Sequence, residues 1–188
     1  DKASKFDIIL CDDGFEDSRL VNATTIILEW ENTPRKISDL WPFGKMRSLA
    51  KDHENGPQAA ITLNCSGESP DIRFVLDKVS SPVAGDFPNT QKATVFCGIG
   101  APERFMLDVQ EYGIQVARLS AFRDHCKNFE EKLEFALQKD PDSAIIISEK
   151  DAARLPHGFV QRNTRVYVAS QKTLVSPSAL QKLNSIGI

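Results

Sequence analysis

The sequence predicts an α/β fold, a mostly parallel sheet flanked by helices. Three observations carry that expectation. Short apolar, β-branched runs recur along the chain, as at residues 23–30, 92–97 and 143–148. Helical patterns separate several of them: Phe129, Leu133, Ala136 and Leu137 recur at the spacing of one helix face. Strand–helix alternation of this kind is the pattern of parallel strands joined by crossover helices.

The elements follow in order. Residues 6–11 (FDIILC) are an apolar run ending in acid and predict a first, buried strand. Residues 23–30 (ATTIILEW) predict a second. Residues 31–57 are rich in Pro, Gly and charge and read as loop, with one helical turn near residues 48–53. Residues 58–64 (QAAITLN) predict a third strand, and residues 72–83 a strand pair. Pro82, Gly85 and Pro88 make residues 82–91 turn-rich, which predicts an internal boundary there: one domain over residues 1–85 and a C-terminal α/β subdomain over residues 86–188. Residues 92–97 (KATVFC) predict a strand closed by the turn Gly98-Ile99-Gly100-Ala101. Pro102 suits the first turn of a helix running to Tyr112, and Gly113 stops it. A strand over residues 114–119 follows, then a helix capped by Asn128 and ending near Lys139. Residues 143–148 (SAIIIS) and 165–169 predict strands, and residues 176–186 a last helix with Pro177 near its start.

Composition excludes several classes. Of 188 residues, 41% are hydrophobic and 26% charged, so the chain is neither disordered nor fibrous and is long enough to bury a core. With 23 Lys and Arg against 26 Asp and Glu the net charge is −3, and no basic block occurs; no nucleic-acid partner is expected. No apolar run approaches the ~20 residues of a membrane helix, and no signal peptide opens the chain. The four cysteines, Cys11, Cys65, Cys97 and Cys126, form no CxxC pair and read as reduced thiols rather than zinc ligands.

Four places could carry chemistry. Asp12-Asp13-Gly14 follows the first strand run; in open parallel sheets ligands bind beyond the carboxyl ends of strands, and paired acids there suit a hard cation such as Mg²⁺. A solvated Asp-Gly turn is the plainer alternative. Phosphate-loop enzymes pair such an acid with G-x-x-x-x-G-K-[ST], but the single Gly-Lys here, Gly44-Lys45, is followed by Met46. Gly98-Ile99-Gly100 can present backbone N–H groups to an anion, yet Glu103 stands where a dinucleotide fingerprint needs its third glycine. Phe122-Arg123-Asp124-His125 brings the side chain best suited to proton transfer near neutral pH, or else a helix cap beside a surface His. Ser148-Glu149-Lys150-Asp151 ends a strand on the ligand side of the sheet, or else is a solvated turn into a short helix.

In their order along the chain these pieces resemble one family, the tetraacyldisaccharide 4′-kinases of lipid A biosynthesis. The resemblance rests on Asp12-Asp13-Gly14-Phe15 with Arg19-Leu20, then Pro42, Gly44 and Arg47. It continues through Gly98-Ile99-Gly100 with Pro102, Arg104 and Phe105, then Ala121-Phe122 with Asp124-His125, and ends on Glu149-Lys150-Asp151-Ala152. It implies a P-loop-kinase-like fold, here without the phosphate-loop segment. Residues 1–85 would be the remainder of the kinase core, with its Walker B-like strand and substrate loop. The implied reaction moves the γ-phosphate of ATP to the 4′-hydroxyl of a tetraacyldisaccharide 1-phosphate, with Mg²⁺, at the cytoplasmic face of a bacterial inner membrane. Peripheral membrane contact would come from an N-terminal part this chain lacks.

By the same resemblance Asp12 and Asp13 would hold Mg²⁺ and position ATP. Arg47, Glu16 and Asp17 would meet the lipid A disaccharide precursor. His125 and Asp124 would be the catalytic residues, the dyad aspartate that partners His125 lying outside this chain. Some positions depart from the family. Glu16 and Asp17 stand where members usually have Gln-His, and Ser48 follows Arg47 where an acid is usual. Four neighbouring acids repel a phosphorylated substrate unless Mg²⁺ or lysine offsets them. These departures leave two other readings: a non-catalytic relic or nucleotide-binding module of the same fold, and a dinucleotide-binding domain built on Gly98-Ile99-Gly100. A chain that opens on Asp1 and reaches a Walker B-like strand within eleven residues is expected to be part of a larger kinase, inactive alone.

Overall fold

The computed structural model describes residues 8–11, 23–30, 59–88, 91–124 and 126–187. Two compact units emerge: Asp1–Arg73 with Val175–Ile188, and Phe74–Leu174. The turn-rich residues 82–91 thus fall within the second unit, and the C-terminal segment belongs with the first.

In the first unit, β1 (Thr25–Glu29) pairs in parallel with β2 (Ala59–Asn64), with Ile27 opposite Thr62 and Leu28 opposite Leu63. Both strands match the apolar runs that predict them. Ile8–Cys11 departs from expectation. These four residues carry no regular structure, and Ile8, Ile9 and Leu10 are exposed. A buried strand needs ladder partners, and none of the described strands pairs with this run. The rest of the expected first strand, and the loop with its helical turn near residues 48–53, lie outside the described residues.

The first unit also holds the helix Pro177–Asn184. Ser176 caps it by accepting the Ala179 N–H at 3.1 Å, and Pro177 opens its first turn. Asp71 ties this helix down. Its carboxylate is 5% exposed and accepts from Lys182 Nζ at 2.6 Å, the Asn64 N–H at 3.1 Å and Ser178 Oγ at 3.1 Å. The hydrogen bond from Lys182, then that from Asn64, holds the Asp71 carboxyl below its ordinary range.

The second unit is built on six strands in the order β4-β3-β8-β7-β5-β6. Here β3 is Ile72–Ser81, β4 Gly85–Asp86, β5 Ala93–Cys97, β6 Val116–Ala121, β7 Ala144–Ser148 and β8 Val166–Val175. The β5/β6, β5/β7 and β7/β8 pairs are parallel, and β3/β4 is antiparallel. The expected strand pair over residues 72–83 is instead one ten-residue strand whose hairpin partner is only Gly85–Asp86. Ser81 Oγ accepts the N–H groups of Val83 and Ala84 at 3.4 Å and so builds the turn between them.

Helices cover both faces. Helix α1 (Pro102–Glu111) buries Phe105 and Val109 against Val95, Cys97, Ala144 and Ile146. Helix α2 (Phe129–Lys139) buries Phe129, Leu133 and Leu137 against Phe96, Ile145 and Ile147. On β7 the alternation of Ala144 and Ile146 with Ile145 and Ile147 sends successive side chains to opposite cores, which explains why the whole run is apolar. Each large side chain buried this way contributes about 2 kcal/mol. Gly113 ends α1 at φ +101, a left-handed conformation that a glycine adopts without Cβ strain. Asn128 precedes α2 as expected, but its side chain donates to Glu131 Oε2 at 3.1 Å rather than capping the backbone. Two short helices were not all foreseen: α3 (Glu149–Ala152) answers the expected turn, while α4 (Phe159–Arg162), four residues long, gives no periodic signal.

Candidate active site

Three strand ends converge at one edge of the second unit's sheet. Strands β5 and β6 pair with Cys97 opposite Ala121, and β5 pairs with β7 with Val95 opposite Ile146. Both β5 and β7 run two residues past that last pair. Their parallel direction therefore brings the Gly98 turn, the loop from Phe122 and the first turn of α3 to the same carboxyl edge, where ligands bind in such sheets.

Each member of Glu149-Lys150-Asp151 then reaches a different neighbour. Glu149 Oε2 accepts the N–H of Gln171 on β8 at 3.1 Å. Lys150 Nζ donates to both carboxylate oxygens of Asp124, each at 3.1 Å. The Asp151 carboxylate, wholly buried, accepts the Gly98 N–H with both oxygens at 3.2 Å and the Ser148 hydroxyl at 2.8 Å. It also pairs with the guanidinium of Arg154, whose Nη2 donates to the Gly98 carbonyl at 2.7 Å. A buried carboxylate is tolerated when its lone pairs are met in this way.

The local chain explains the arrangement. Ser148 is extended and caps α3 by accepting the Asp151 N–H at 3.1 Å, and Asp151 is the acid three residues on. That is the Ser-x-x-acid spacing of a helix start. One turn further, Arg154 lies with its guanidinium carbon 5.6 Å from the Phe129 ring centre. Its Nε and Nη1 are buried without a hydrogen-bond partner among the described residues.

The loop after β6 is anchored from below. The Phe122 N–H donates to the Cys97 carbonyl at 2.9 Å and the Cys126 N–H to the Arg123 carbonyl at 3.1 Å. The Phe122 ring packs 4.8 Å from Phe96 and edge-on to Phe129 at 6.4 Å. Gly100 leaves room at this edge, since a Cβ there would meet Asp124 Oδ2 at 3.9 Å.

Burial first, then the charges of Asp151 and Glu103, push the Cys97 thiol up to about 12. It stays protonated at neutral pH and is no nucleophile.

The structure therefore unites Gly98, Gly100, Asp124 and Glu149-Lys150-Asp151. His125, Asp12, Asp13, Glu16, Asp17 and Arg47 lie outside the described residues. The dinucleotide reading of Gly98-Ile99-Gly100 meets a physical obstacle: the Gly98 N–H is already taken by Asp151, and Asp124 stands beside Gly100. Sequence reasoning did not single out Arg154, although its place three residues after Asp151 on a helical turn was a usable signal. A cavity of about 520 Å³ on the α2 side, lined by Phe96, Arg118, Phe122, Lys132 and Phe135 among others, is separate chemistry, because neither Asp124, Lys150 nor Asp151 lines it.

Comparison with known proteins points in one direction. A family model described as tetraacyldisaccharide-1-P 4′-kinase matches residues 1–186. A tetraacyldisaccharide 4′-kinase of Bradyrhizobium diazoefficiens is 30% identical, over 95% of this chain and 56% of its own length. Another, of Chlamydia trachomatis, is 24% identical over 81% of this chain and 47% of its own length. Among solved structures, LpxK from Aquifex aeolicus in complex with ATP has the same fold, with a TM-score of 0.57 at 16% identity over 92% of this chain and 55% of that one. The chain spans about half the length of the relatives it matches.

Proposed function

The chain belongs to the tetraacyldisaccharide-1-P 4′-kinase family, and from that premise we propose that it is the part of a lipid A 4′-kinase that carries the Mg²⁺-binding acids and the catalytic histidine. The reaction would transfer the γ-phosphoryl group of ATP to the 4′-hydroxyl of a tetraacylated disaccharide 1-phosphate. The observation that carries this reading is the convergence of Gly98, Asp124 and Glu149-Lys150-Asp151 at one sheet edge, with His125 directly after Asp124 in the chain.

Phosphoryl transfer asks a protein mainly for positioning and charge neutralisation. His125 would take the proton of the 4′-hydroxyl onto an imidazole nitrogen as that oxygen attacks. Arg47 would grip a phosphate of the substrate through its planar fork, and Glu16 and Asp17 would line the sugar. Asp12 and Asp13 are hard oxygen donors suited to Mg²⁺ and would hold it. ATP, when bound, supplies the transferred group. The 188 residues contain no G-x-x-x-x-G-K-[ST], so no residue of this chain is assigned to cradle the triphosphate.

No helix among the described residues is long and apolar enough to cross a membrane. A substrate with four acyl chains nevertheless places the reaction at a bilayer surface, which we take to be the cytoplasmic face of the inner membrane. The test is phosphate transfer from labelled ATP to the 4′-position of the disaccharide 1-phosphate by the complete gene product, with His125→Ala as the control.

A further inference from the structure

We propose that Lys150 is a positioning residue: it pins Asp124, and with it the loop that carries His125, to the carboxyl edge of the sheet. The catalytic consequence rests on the kinase reading above; the restraint itself does not. Two features below the loop fix its start, the hydrogen bond from Phe122 to Cys97 and the packing of the Phe122 ring against Phe96 and Phe129. After Phe122, Arg123 and Asp124 are exposed. The Lys150 ammonium reaches both Asp124 oxygens at 3.1 Å, which sets the direction of that carboxylate as well as its place.

Lys150 is suited to this because its backbone does not move freely. Glu149 before it is tied to Gln171, and Asp151 after it is buried on Gly98, Ser148 and Arg154. The cation is thus mounted between two anchored residues on a capped helical turn.

The pair lies in the open, with side-chain exposures of 51% and 36%. Ion pairs this exposed contribute little to stability. A contact of small energetic weight that orients the residue next to the proposed proton acceptor is a positioning device, since misplacement by about 1 Å can lower a rate a hundredfold.

The experiment uses Lys150→Met and Lys150→Arg, compared with the unaltered protein. In the complete gene product, amide hydrogen exchange is followed at Cys126 in the loop, at Phe122 where the loop starts, and at Val95 and Ile146 in the sheet. In the complete gene product, kcat and KM for the disaccharide acceptor are measured. Lys150→Met should leave the melting temperature nearly unchanged, speed exchange about threefold at Cys126 only, and leave Phe122, Val95 and Ile146 as they were. It should lower kcat about tenfold with KM little altered, and Lys150→Arg should recover most of the loss.

Unchanged loop exchange, or faster exchange throughout the sheet, overturns the restraint. A loosened loop with unaltered kcat overturns its role in the reaction. If the unaltered gene product transfers no phosphate while the loop still loosens in Lys150→Met, the kinase reading fails and the restraint stands.

Discussion

The carboxylate of Asp151 accepts the backbone N–H of Gly98 with both its oxygens, joining two strand ends that lie 53 residues apart in sequence. This bond is buried, and the same carboxylate holds Arg154. It closes the space between β5 and β7 where the candidate site begins.

Asp151→Ala should therefore be among the most damaging substitutions in the second unit. It leaves the part-buried Arg154 guanidinium, already short of partners, without its counter-ion. The expected cost is about 3–5 kcal/mol, seen as a lower urea midpoint. Arg154→Ala in the Asp151→Ala background should add much less than it costs alone, because the two act as one unit.

Gly98 is a test of space. A Cβ there would meet Phe129 at 3.4 Å and both the Arg123 carbonyl and Arg154 Nη2 at 3.5 Å, and the backbone carries no positive-φ constraint. Gly98→Ala should be accepted with a change under about 1 kcal/mol, whereas Gly98→Val should cost about 1–3 kcal/mol through overpacking. Thermal unfolding of the two variants distinguishes them.

Asp71 gives the first unit an acid limit. Its carboxyl is held below the ordinary value of 3.8 in the folded protein, chiefly by Lys182. A depressed folded value means its stabilisation is complete above the unfolded value and is lost as pH falls through the folded one. Unfolding scans from about pH 6 down to pH 2 should show Asp71→Asn less stable at pH 6 but with a shallower fall in acid.

Cys97 sets the opposite limit. Its thiol ionises near 12 when folded against 9.0 when free, so the unfolded chain releases its proton first. Stability should fall as pH rises from 9 to about 12, and Cys97→Ala should lack this part of the decline. At pH 8 a thiol-reactive dye should label exposed Cys11 at once and buried Cys97 only on unfolding.

Much of the second unit was legible in the chain. Residues 92–97 and 143–148 carry β-branched runs bounded by turn residues, and they became β5 and β7 with shifts of one residue. Pro102 and Gly113 marked the ends of α1 through backbone chemistry that needs no tertiary context. The failures have physical causes. Residues 6–11 have the composition of a buried strand, but burial is conferred by neighbours, and Ile8–Cys11 is exposed. The β6 strand lies two residues later than its apolar run suggests. As the edge strand it keeps only part of its surface buried, which blurs the pattern.

At the candidate site, residue types and strand ends pointed to the carboxyl edge of the sheet, where Gly98, Asp124 and Glu149-Lys150-Asp151 lie together. What sequence did not reveal was pairing. Asp124 reads as a neighbour of His125 and is held by Lys150; Asp151 reads as a ligand-side charge or part of a solvated turn and is wholly buried on Gly98. Both contacts join residues far apart in the chain, and local pattern carries no record of them.

In the proposed reaction this chain acts as part of a 4′-kinase, with His125 as the proton acceptor. The direct measurement is 4′-phosphorylation of a tetraacyldisaccharide 1-phosphate by the complete gene product with Mg-ATP, beside His125→Ala. The unaltered protein should transfer phosphate, and His125→Ala should lose about a hundredfold or more with the fold retained. No transfer by the folded, unaltered protein, or equal rates for the two, would contradict it and favour a non-catalytic relic of the fold.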